Sequence, residues 1–526
     1  MLTILKDPDS WYLTSDENQN PKEAQSGAIL RWKEKSDGRT LFLRAKNCHP
    51  RLLILRWEIE IPVGSRILGD AWERAYGNLG WTGLNPERCL PWYFLLRHGR
   101  KVEGMGVQTR PNAMVSFSVD PNGITAYLDL RCGGLGVDLG NRELEVCTFL
   151  AHTYIGNSLE AARNFCALLS PDPILPKQPL YGGNNWYYAY GHSSFDEIIE
   201  DAALQAELAE GLENRPFMVI DDGWQPNPCA GPWIPNEKFK DMKKVADTFR
   251  NMGVRPGLWV RFLRDERPEL PPTWRLNKNH LSLSDPALSR CTLDPSHPEV
   301  LAFIASDVRK FVLDWGYELI KHDFSEIDMF GAWGKDRNAL ITKGDWSFYD
   351  RKKTSAEITK NFYRTILNAT EGKAIILGCN CIGHLLAGLA HANRTGDDTS
   401  GNDWCRTRKM GINTLAFRLP QHNTFFAADA DCVGIIPGKI DPEMNREWAT
   451  LLAYSGSPFF LSCARGSLPK DQIFFIKNLY RIASEGKSQL TVLDWEDCSI
   501  PSHYLLGGQK VNFDFYKGPD LSDERL

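Results

Sequence analysis

Phe217-Met218-Val219-Ile220-Asp221-Asp222-Gly223-Trp224 is a short apolar run that ends abruptly in two acids and a glycine. Four apolar residues followed by a turn signal suit a strand buried on both faces, as in a parallel sheet. Just upstream, Phe195 to Gly211 places Phe195, Ile198, Ile199, Ala202, Ala206 and Ala209 on one helix face, with Ser194 and Glu197 spaced as a capping box. Downstream, a second helix carries Phe239, Met242, Val245, Ala246, Phe249 and Met252 and stops at Gly253. A third carries Val300, Ile304, Val308, Phe311 and Trp315 behind Pro298; a fourth carries Ile358, Phe362 and Ile366 behind another capping box, Thr354 with Glu357. Helices alternating with short apolar strands predict a parallel sheet covered by helices. Working outward from Phe217–Ile220, the other strand candidates are Pro179 to Gly182, Pro256 to Val260, Glu318 to Lys321, Ala374 to Gly378, Ala392 to Thr395, Thr424 to Ala427 and Pro458 to Leu461. The total is eight, the number of a (β/α)8 barrel, although the sixth has little intrinsic strand propensity.

The flanks read differently. From about Gln25 to Cys147 the text is strand-like, as in Leu52-Leu53-Ile54-Leu55-Arg56-Trp57, with turn signals at Asp37-Gly38 and Pro121-Asn122-Gly123. A multidomain α/β chain is expected: an antiparallel β-sandwich over residues 1–170, ending in a short helix from Ser158 to Leu169; a Pro-rich linker over 171–178; the barrel over 179–470; and a short C-terminal β region over 471–526, marked by Leu490-Thr491-Val492-Leu493 and Tyr504-Leu505-Leu506.

Composition narrows the partners. The 526 residues are 24% charged and 42% hydrophobic with a net charge of −5, which excludes a disordered acidic chain and points away from nucleic acid. A neutral or weakly charged substrate fits. The N-terminus lacks the basic flank and apolar run of a signal peptide, and no stretch reaches membrane-spanning length. Thirteen scattered cysteines suit reduced thiols better than a disulfide framework, so the expected location is the cytoplasm, or the exterior if a leader precedes residue 1. A homo-oligomer is open.

Nearly every barrel strand runs into chemistry-bearing residues: Asn184-Asn185-Trp186, Asp221-Asp222, Trp259 with Arg261, Lys321-His322-Asp323, Cys379-Asn380-Cys381, Arg394 with Asp397 and Asp398, and Asp429 with Asp431. In a barrel all of these face one mouth, where active sites are built. Any one acid after a strand is as readily a helix cap, but a set on so many strands is not. Carboxylates and aromatic rings with few cations suit a sugar, whose hydroxyls need acceptors and whose apolar face stacks on rings. Glycosidic cleavage needs one carboxylate to attack and one carboxylic acid to protonate the leaving oxygen. Lys321, two residues before Asp323 on the same side of a strand, is expected to keep Asp323 ionised, and Asp397 beside Asp398 is expected to raise one of their pKa values.

Six segments resemble, in order, clan D of the glycoside hydrolases: NNWYYAYG (Asn184 to Gly191), FMVIDDGWQ (Phe217 to Gln225), RPGLWV (Arg255 to Val260), ELIKHDF (Glu318 to Phe324), AIILGCN (Ala374 to Asn380) and RTGDDT (Arg394 to Thr399). LDPSHPEV at Leu293 to Val300 and DADCV at Asp429 to Val433 are also similar. The clan comprises families 27 and 36, the α-galactosidases, α-N-acetylgalactosaminidases and raffinose synthase-like proteins, and the domain order here is similar to family 36. The resemblance implies a retaining exo-acting glycosidase with Asp323 as nucleophile and Asp398 as general acid/base. It implies Asp221 and Asp222 as the pair that holds the sugar hydroxyls, Trp259 as an aromatic wall, and Lys321, Cys379, Arg394 and Trp186 as further contacts. In family 36 the leading domain can lend a side chain to the sugar pocket, and Trp72 in the loop Asp70 to Arg74 is the candidate for it; the alternative is a core tryptophan. His322 stands where the family usually has an apolar residue.

Three rivals remain at this level. One keeps the fold and changes the reaction or the sugar: a raffinose synthase-like galactosyltransferase, or a hydrolase of α-N-acetylgalactosamine or another sugar of matching stereochemistry. Another is a zinc site at Cys379, Cys381 and His384, whose spacing lacks a fourth ligand and fits no common site, so neither metal nor cofactor is expected. The last is an inactive sugar-binding protein, against which the retention of Asp323 and Asp398 speaks.

Overall fold

The computed structural model describes residues 3–17, 27–276, 291–342 and 344–516; Gln25, where the strand-like text begins, lies outside them. Two antiparallel sheets form the N-terminal region. One orders Ser10–Ser15, Pro50–Glu58, Gly123–Asp129, Met114–Asp120 and Leu90–Pro91; the other orders Ala28–Glu34, Gly38–Ala45, Leu144–Ile155, Lys101–Val107, Tyr93–His98 and Arg66–Gly69. Alternation along each strand sends one set of side chains inward: in Pro50–Glu58, Leu53, Leu55 and Trp57 are buried. The layers meet where Phe149 of one sheet lies edge-on to Trp57 and Phe117 of the other, with ring centroids 5.7 and 6.4 Å apart. The helix Ser158–Leu169, capped by Asn157, then covers the second sheet.

Nine parallel segments follow: β1 (Tyr181–Asn184), β2 (Phe217–Ile220), β3 (Arg255–Val260), β4 (Leu319–His322), β5 (Ile375–Gly378), β6 (Ala392–Arg394), β7 (Ala427–Asp429), β8 (Cys432–Gly434) and β9 (Phe459–Ser462). Their lateral order is β7-β6-β5-β4-β3-β2-β1-β9-β8. β7 and β8 are two halves of one stretch, parted by Ala430 and Asp431, so the chain itself joins the ends of the sheet into a barrel. Asp431 takes a left-handed φ of 78° at the break, which turns the first half toward β6 and the second toward β9. β1 packs so closely on β2 that a Cβ on Gly182, at φ 142°, would lie 2.0 Å from the Phe217 carbonyl oxygen.

Several boundaries move. The first strand begins at Tyr181 rather than Pro179, and the seventh begins at Ala427, because Thr424 and Phe425 belong to a turn in which the Phe425 N–H donates to the Gln421 carbonyl. The propensity-poor sixth strand forms because it is paired on both sides, with β5 and β7. Thr354 and Glu357 make the expected capping box, whereas the Ser194 hydroxyl donates to the Glu197 carboxylate at 2.8 Å and caps no backbone group. The helix Lys470–Glu485 falls inside the stretch assigned to the C-terminal β region; it packs on β1 and on the helix Phe195–Leu208, and only after it comes a three-stranded antiparallel sheet, Leu490–Val492, His503–Leu506 and Gln509–Asn512. All thirteen cysteines are free thiols. Among the described residues no helix is long and apolar enough to cross a membrane.

Candidate active site

The C-terminal ends of β1 to β6 surround a cavity of about 310 Å³. Asp221 and Asp222 end β2, Trp259 stands in β3, Lys321 and Asp323 stand in and just beyond β4, Cys379 and Asn380 follow β5, and Asp397 and Asp398 follow β6; Trp186 lines it from the turn after β1. The sequence-predicted residues thus meet in one place, with two exceptions. Arg394 lies beneath the cavity, bonding Asp398 at 3.0 Å and Asp431 at 2.9 Å. Trp72 does not line it.

Asp323 is 6% exposed and accepts from the Trp259 indole N–H at 2.9 Å, the Asn380 amide at 2.5 Å and the Phe324 backbone N–H at 2.7 Å. All three partners are donors, which matches an ionised carboxylate. Lys321, expected to serve Asp323, instead places its Nζ 2.6 Å from Asp221. The barrel explains this: alternate strands send inward side chains into the same layer, so Lys321 of β4 meets Asp221 at the end of β2 across the intervening β3 rather than Asp323 along its own strand. Burial opposes the charge on Lys321, but the Asp221 carboxylate outweighs it and holds the ammonium well above the usual lysine value. Asp221 also accepts from Asn184 Nδ2 at 2.8 Å and from the Asp222 N–H at 3.0 Å.

Asp222 accepts from the Cys229 N–H at 3.0 and 3.1 Å, from the Cys229 thiol at 3.0 Å and from Gln225. It ties the loop after β2 together while lining the cavity. His322 points outward, 1% exposed among Phe262, Phe362 and Tyr363, with its pKa pushed down to about 4 by burial; neutral and ringed by aromatics, it fills an apolar residue's place.

The like-charge expectation for Asp397 and Asp398 does not hold. Arginines flank both: Arg74 Nη1 lies 2.8 Å from Asp397, Arg406 Nη2 2.9 Å from Asp397, and Arg394 Nη2 3.0 Å from Asp398. Burial would raise the Asp398 carboxyl, but Arg394, with Arg74 and Lys321 behind it, holds it below the ordinary carboxylate range. Asp397 is spent on two guanidinium groups and its side chain is 16% exposed; Asp398 has one guanidinium within hydrogen-bond reach and is 36% exposed.

Trp72 is 2% exposed, its ring edge-on to Trp92 with centroids 4.9 Å apart, and so belongs to the core of the β-sandwich. The same loop contributes Arg74 and Tyr76 to the cavity wall instead, and the loop after β4 contributes Phe324, Trp333 and Lys335. The loop Asp70 to Arg74 thus reaches the site through Arg74, and Trp72 takes the alternative role of a core tryptophan. Asn380 was legible as a polar strand end; Cys229, Phe324 and Trp333 carried no local signal. Phe324, Asn380 and Cys229, all on the cavity wall, adopt left-handed φ of 60°, 50° and 54°, costly for residues with a Cβ. The rival zinc set is split: His384 donates from Nε2 to the Val107 carbonyl at 2.8 Å and stacks on Trp92, while the Cys381 thiol lies 3.6 Å from His322 Nδ1.

No protein-family model matches the sequence, and no curated protein matches it either. Solved structures do. The Thermus thermophilus α-galactosidase TtGalA, in complex with stachyose, is 18% identical with a TM-score of 0.62 over 86% of this chain and 96% of that one. The GH36 α-galactosidase AgaA of Geobacillus stearothermophilus is 15% identical with a TM-score of 0.61 over 87% of this chain and 67% of that one. The α-galactosidase of Lactobacillus brevis is 12% identical with a TM-score of 0.60 over 93% and 74%. A β-sandwich, a parallel barrel and a small terminal sheet in this order therefore make the fold that this chain shares with solved α-galactosidases of glycoside hydrolase family 36.

Proposed function

We propose that the chain is a retaining exo-glycosidase that releases terminal α-linked galactose, with Asp323 as nucleophile and Asp398 as general acid/base. The observation that carries this reading is the pair of carboxylates in one cavity, one facing only hydrogen-bond donors and the other on the more open wall. An Asp323 oxygen bonds to the anomeric carbon as the glycosidic C–O bond breaks; its electron pair stays on the leaving oxygen, which takes a proton from the protonated form of Asp398, the minor form beside Arg394 and Arg74. Water then gives a proton to the Asp398 carboxylate and attacks the glycosyl ester, freeing Asp323 and a sugar of retained configuration.

A cavity of about 310 Å³ stands at the small end of the roughly 300–1,000 Å³ typical of ligand pockets, in keeping with a single terminal sugar. Trp186 and Trp259 offer aromatic surface to the ring. Asp221 and Asp222 are adjacent yet tethered to opposite sides, Asp221 to Lys321 and Asp222 to Cys229, so they suit two neighbouring hydroxyls. Asp221 is assigned the 4- or 6-hydroxyl, where an epimer would leave a buried acceptor unpaired. Cys379 and Lys321 support the same pocket, and Arg394 acts from beneath it. The fold likeness supports the reading too: the relatives of known structure are α-galactosidases, and one of them, TtGalA, is solved both with stachyose and with p-nitrophenyl α-D-galactopyranoside.

The test is hydrolysis of aryl α-glycosides with the product anomer followed by NMR, and intact-mass analysis after an activated fluorinated galactoside. Aryl α-galactoside should be cleaved far faster than α-glucoside or α-N-acetylgalactosaminide, giving α-galactose first, with the label on Asp323. Inversion, or a label elsewhere, removes the mechanism; preference for another sugar removes galactose alone; product transferred to sugar acceptors in place of water makes the chain a galactosyltransferase.

A further inference from the structure

The acid/base loop is not held by the barrel alone. Residues 70–79 of the β-sandwich lie along it as an added edge: the Ala75 N–H donates to the Thr395 carbonyl at 2.8 Å, and the Asp397 N–H donates to the Ala75 carbonyl at 3.0 Å, a parallel bridge between Ala75 and Gly396. Arg418 clamps both sides of this seam. It pairs with Asp70 at 2.7 Å and donates to the carbonyls of Glu73 at 2.5 Å and Thr395 at 2.9 Å. Asn413 binds the far end through the Leu79 carbonyl at 2.7 Å.

From this edge Arg74 enters the cavity. Its residue is 6% exposed, and its guanidinium lies 5.0 Å from the Trp333 ring centre and 5.5 Å from that of Tyr76. Nη1 bonds Asp397 at 2.8 Å and lies 3.9 Å from Asp398, so one cation from the β-sandwich faces both acids of the barrel loop. The rings fix the planar fork, which a lysine ammonium in the same place would not match.

We propose that Arg74 is a positioning residue for proton transfer: by holding Asp397 it sets where Asp398 stands and how readily Asp398 parts with its proton, so that acid/base function is assembled from the β-sandwich and the barrel together. This rests on the assignment of Asp398 as acid/base. Other charged or titratable groups face Asp398 as well: Arg394 from β6, Lys321 from β4, Cys379 after β5, Tyr187 and Tyr190 after β1, and Arg406 on the far side of Asp397. Arg394 and Lys321 are bound to other carboxylates within the barrel, Asp431 and Asp221. Arg74 differs in coming from outside the barrel.

The experiment compares the parent chain with Arg74→Met and Arg74→Lys, reading kcat/KM against pH for a phenyl and a dinitrophenyl α-galactoside. Loss of the nearby cation raises the proton affinity of Asp398, so the alkaline limb of the profile should move to higher pH in Arg74→Met and back toward the parent in Arg74→Lys. Misplacement of the acid should lower kcat/KM at least tenfold more for the phenyl substrate, which needs protonation, than for the dinitrophenyl one, which hardly does. Labelling of Asp323 by the activated fluorinated galactoside should persist in both variants, showing a folded site. An equal loss on both substrates with an unmoved pH profile and intact labelling overturns the role of Arg74. A variant that no longer labels or melts far below the parent overturns it too, because the residue is then needed for the fold of the site rather than for proton transfer. A parent chain that neither cleaves the galactosides nor labels at Asp323 overturns the proposed function itself.

Discussion

Burying an ammonium beside a carboxylate stabilises neither group by itself; each is tolerated because the other is there. Lys321 and Asp221, 8% and 3% exposed, are such a pair. Lys321→Met leaves Asp221 as an uncompensated buried charge and should cost ~3–5 kcal/mol in urea unfolding, with a good part regained when Asp221→Asn is added. A loss below about 1 kcal/mol would show that the pair is not energetically coupled. The acid assignment is also decided at single residues. Asp398→Ala should lose most of its kcat/KM on aryl galactosides with poor leaving groups and much less on activated ones. Asp397→Ala, which frees Arg74 and Arg406 and so loosens the loop that places Asp398, should show the same leaving-group dependence to a smaller degree; a steeper leaving-group dependence in Asp397→Ala than in Asp398→Ala would exchange the two roles.

The loop from Asp70 to Leu79 has no regular structure of its own, yet both ends of it are anchored. Trp72 packs into the sandwich against Trp92 while Arg418 and Asn413 grip the loop from the barrel side. Trp72→Ala removes a large buried ring and should cost ~3–5 kcal/mol in stability. Because the ring does not line the cavity, KM for an aryl galactoside should stay within a few-fold of the parent at a temperature where the variant is folded. A KM raised many-fold with unchanged unfolding free energy would restore Trp72 to the sugar pocket. The break between β7 and β8 works in a similar way. Asp431 bonds Arg394 at 2.9 Å and accepts from the Thr399 N–H at 2.8 Å, so the residue that bends the strand also braces the loop that carries Asp397 and Asp398.

Sandwich and barrel share hydrogen bonds along a long seam. The Thr354 hydroxyl that caps the helix Ser355–Ala369 also donates to the Asn112 carbonyl at 2.6 Å, Arg142 pairs with Glu357 at 2.6 Å, and Lys360 donates to the Arg110 carbonyl at 2.7 Å. Burial pushes the Lys360 amine down to about 7, from an ordinary 10.5. Between those values the unfolded chain holds a proton that the folded chain has shed, so folding stability rises with pH in that window. Guanidinium unfolding of the parent and Lys360→Met should show the parent gaining ~1–2 kcal/mol on the variant between about pH 7 and 8.5. A difference that stays flat with pH would mean that Lys360 keeps its charge in the seam.

What could be read from the sequence was what repeats locally. Apolar runs four residues long, helix stripes with caps, and acids at strand ends depend on neighbours in the chain, so they announced the barrel, the leading β-sandwich and the mouth where Asp221, Asp323 and Asp398 meet. The choices made across the fold were not legible. Lys321 pairs with Asp221, two strands away, rather than with Asp323; arginines from three elements cancel the like charge of Asp397 and Asp398; and the side chain that the sandwich sends to the cavity is Arg74 rather than Trp72. Each of these is a contest between partners far apart in the chain, settled by strand curvature and by which loop lies against which. No window of sequence contains both competitors, so only the tertiary structure could decide among them.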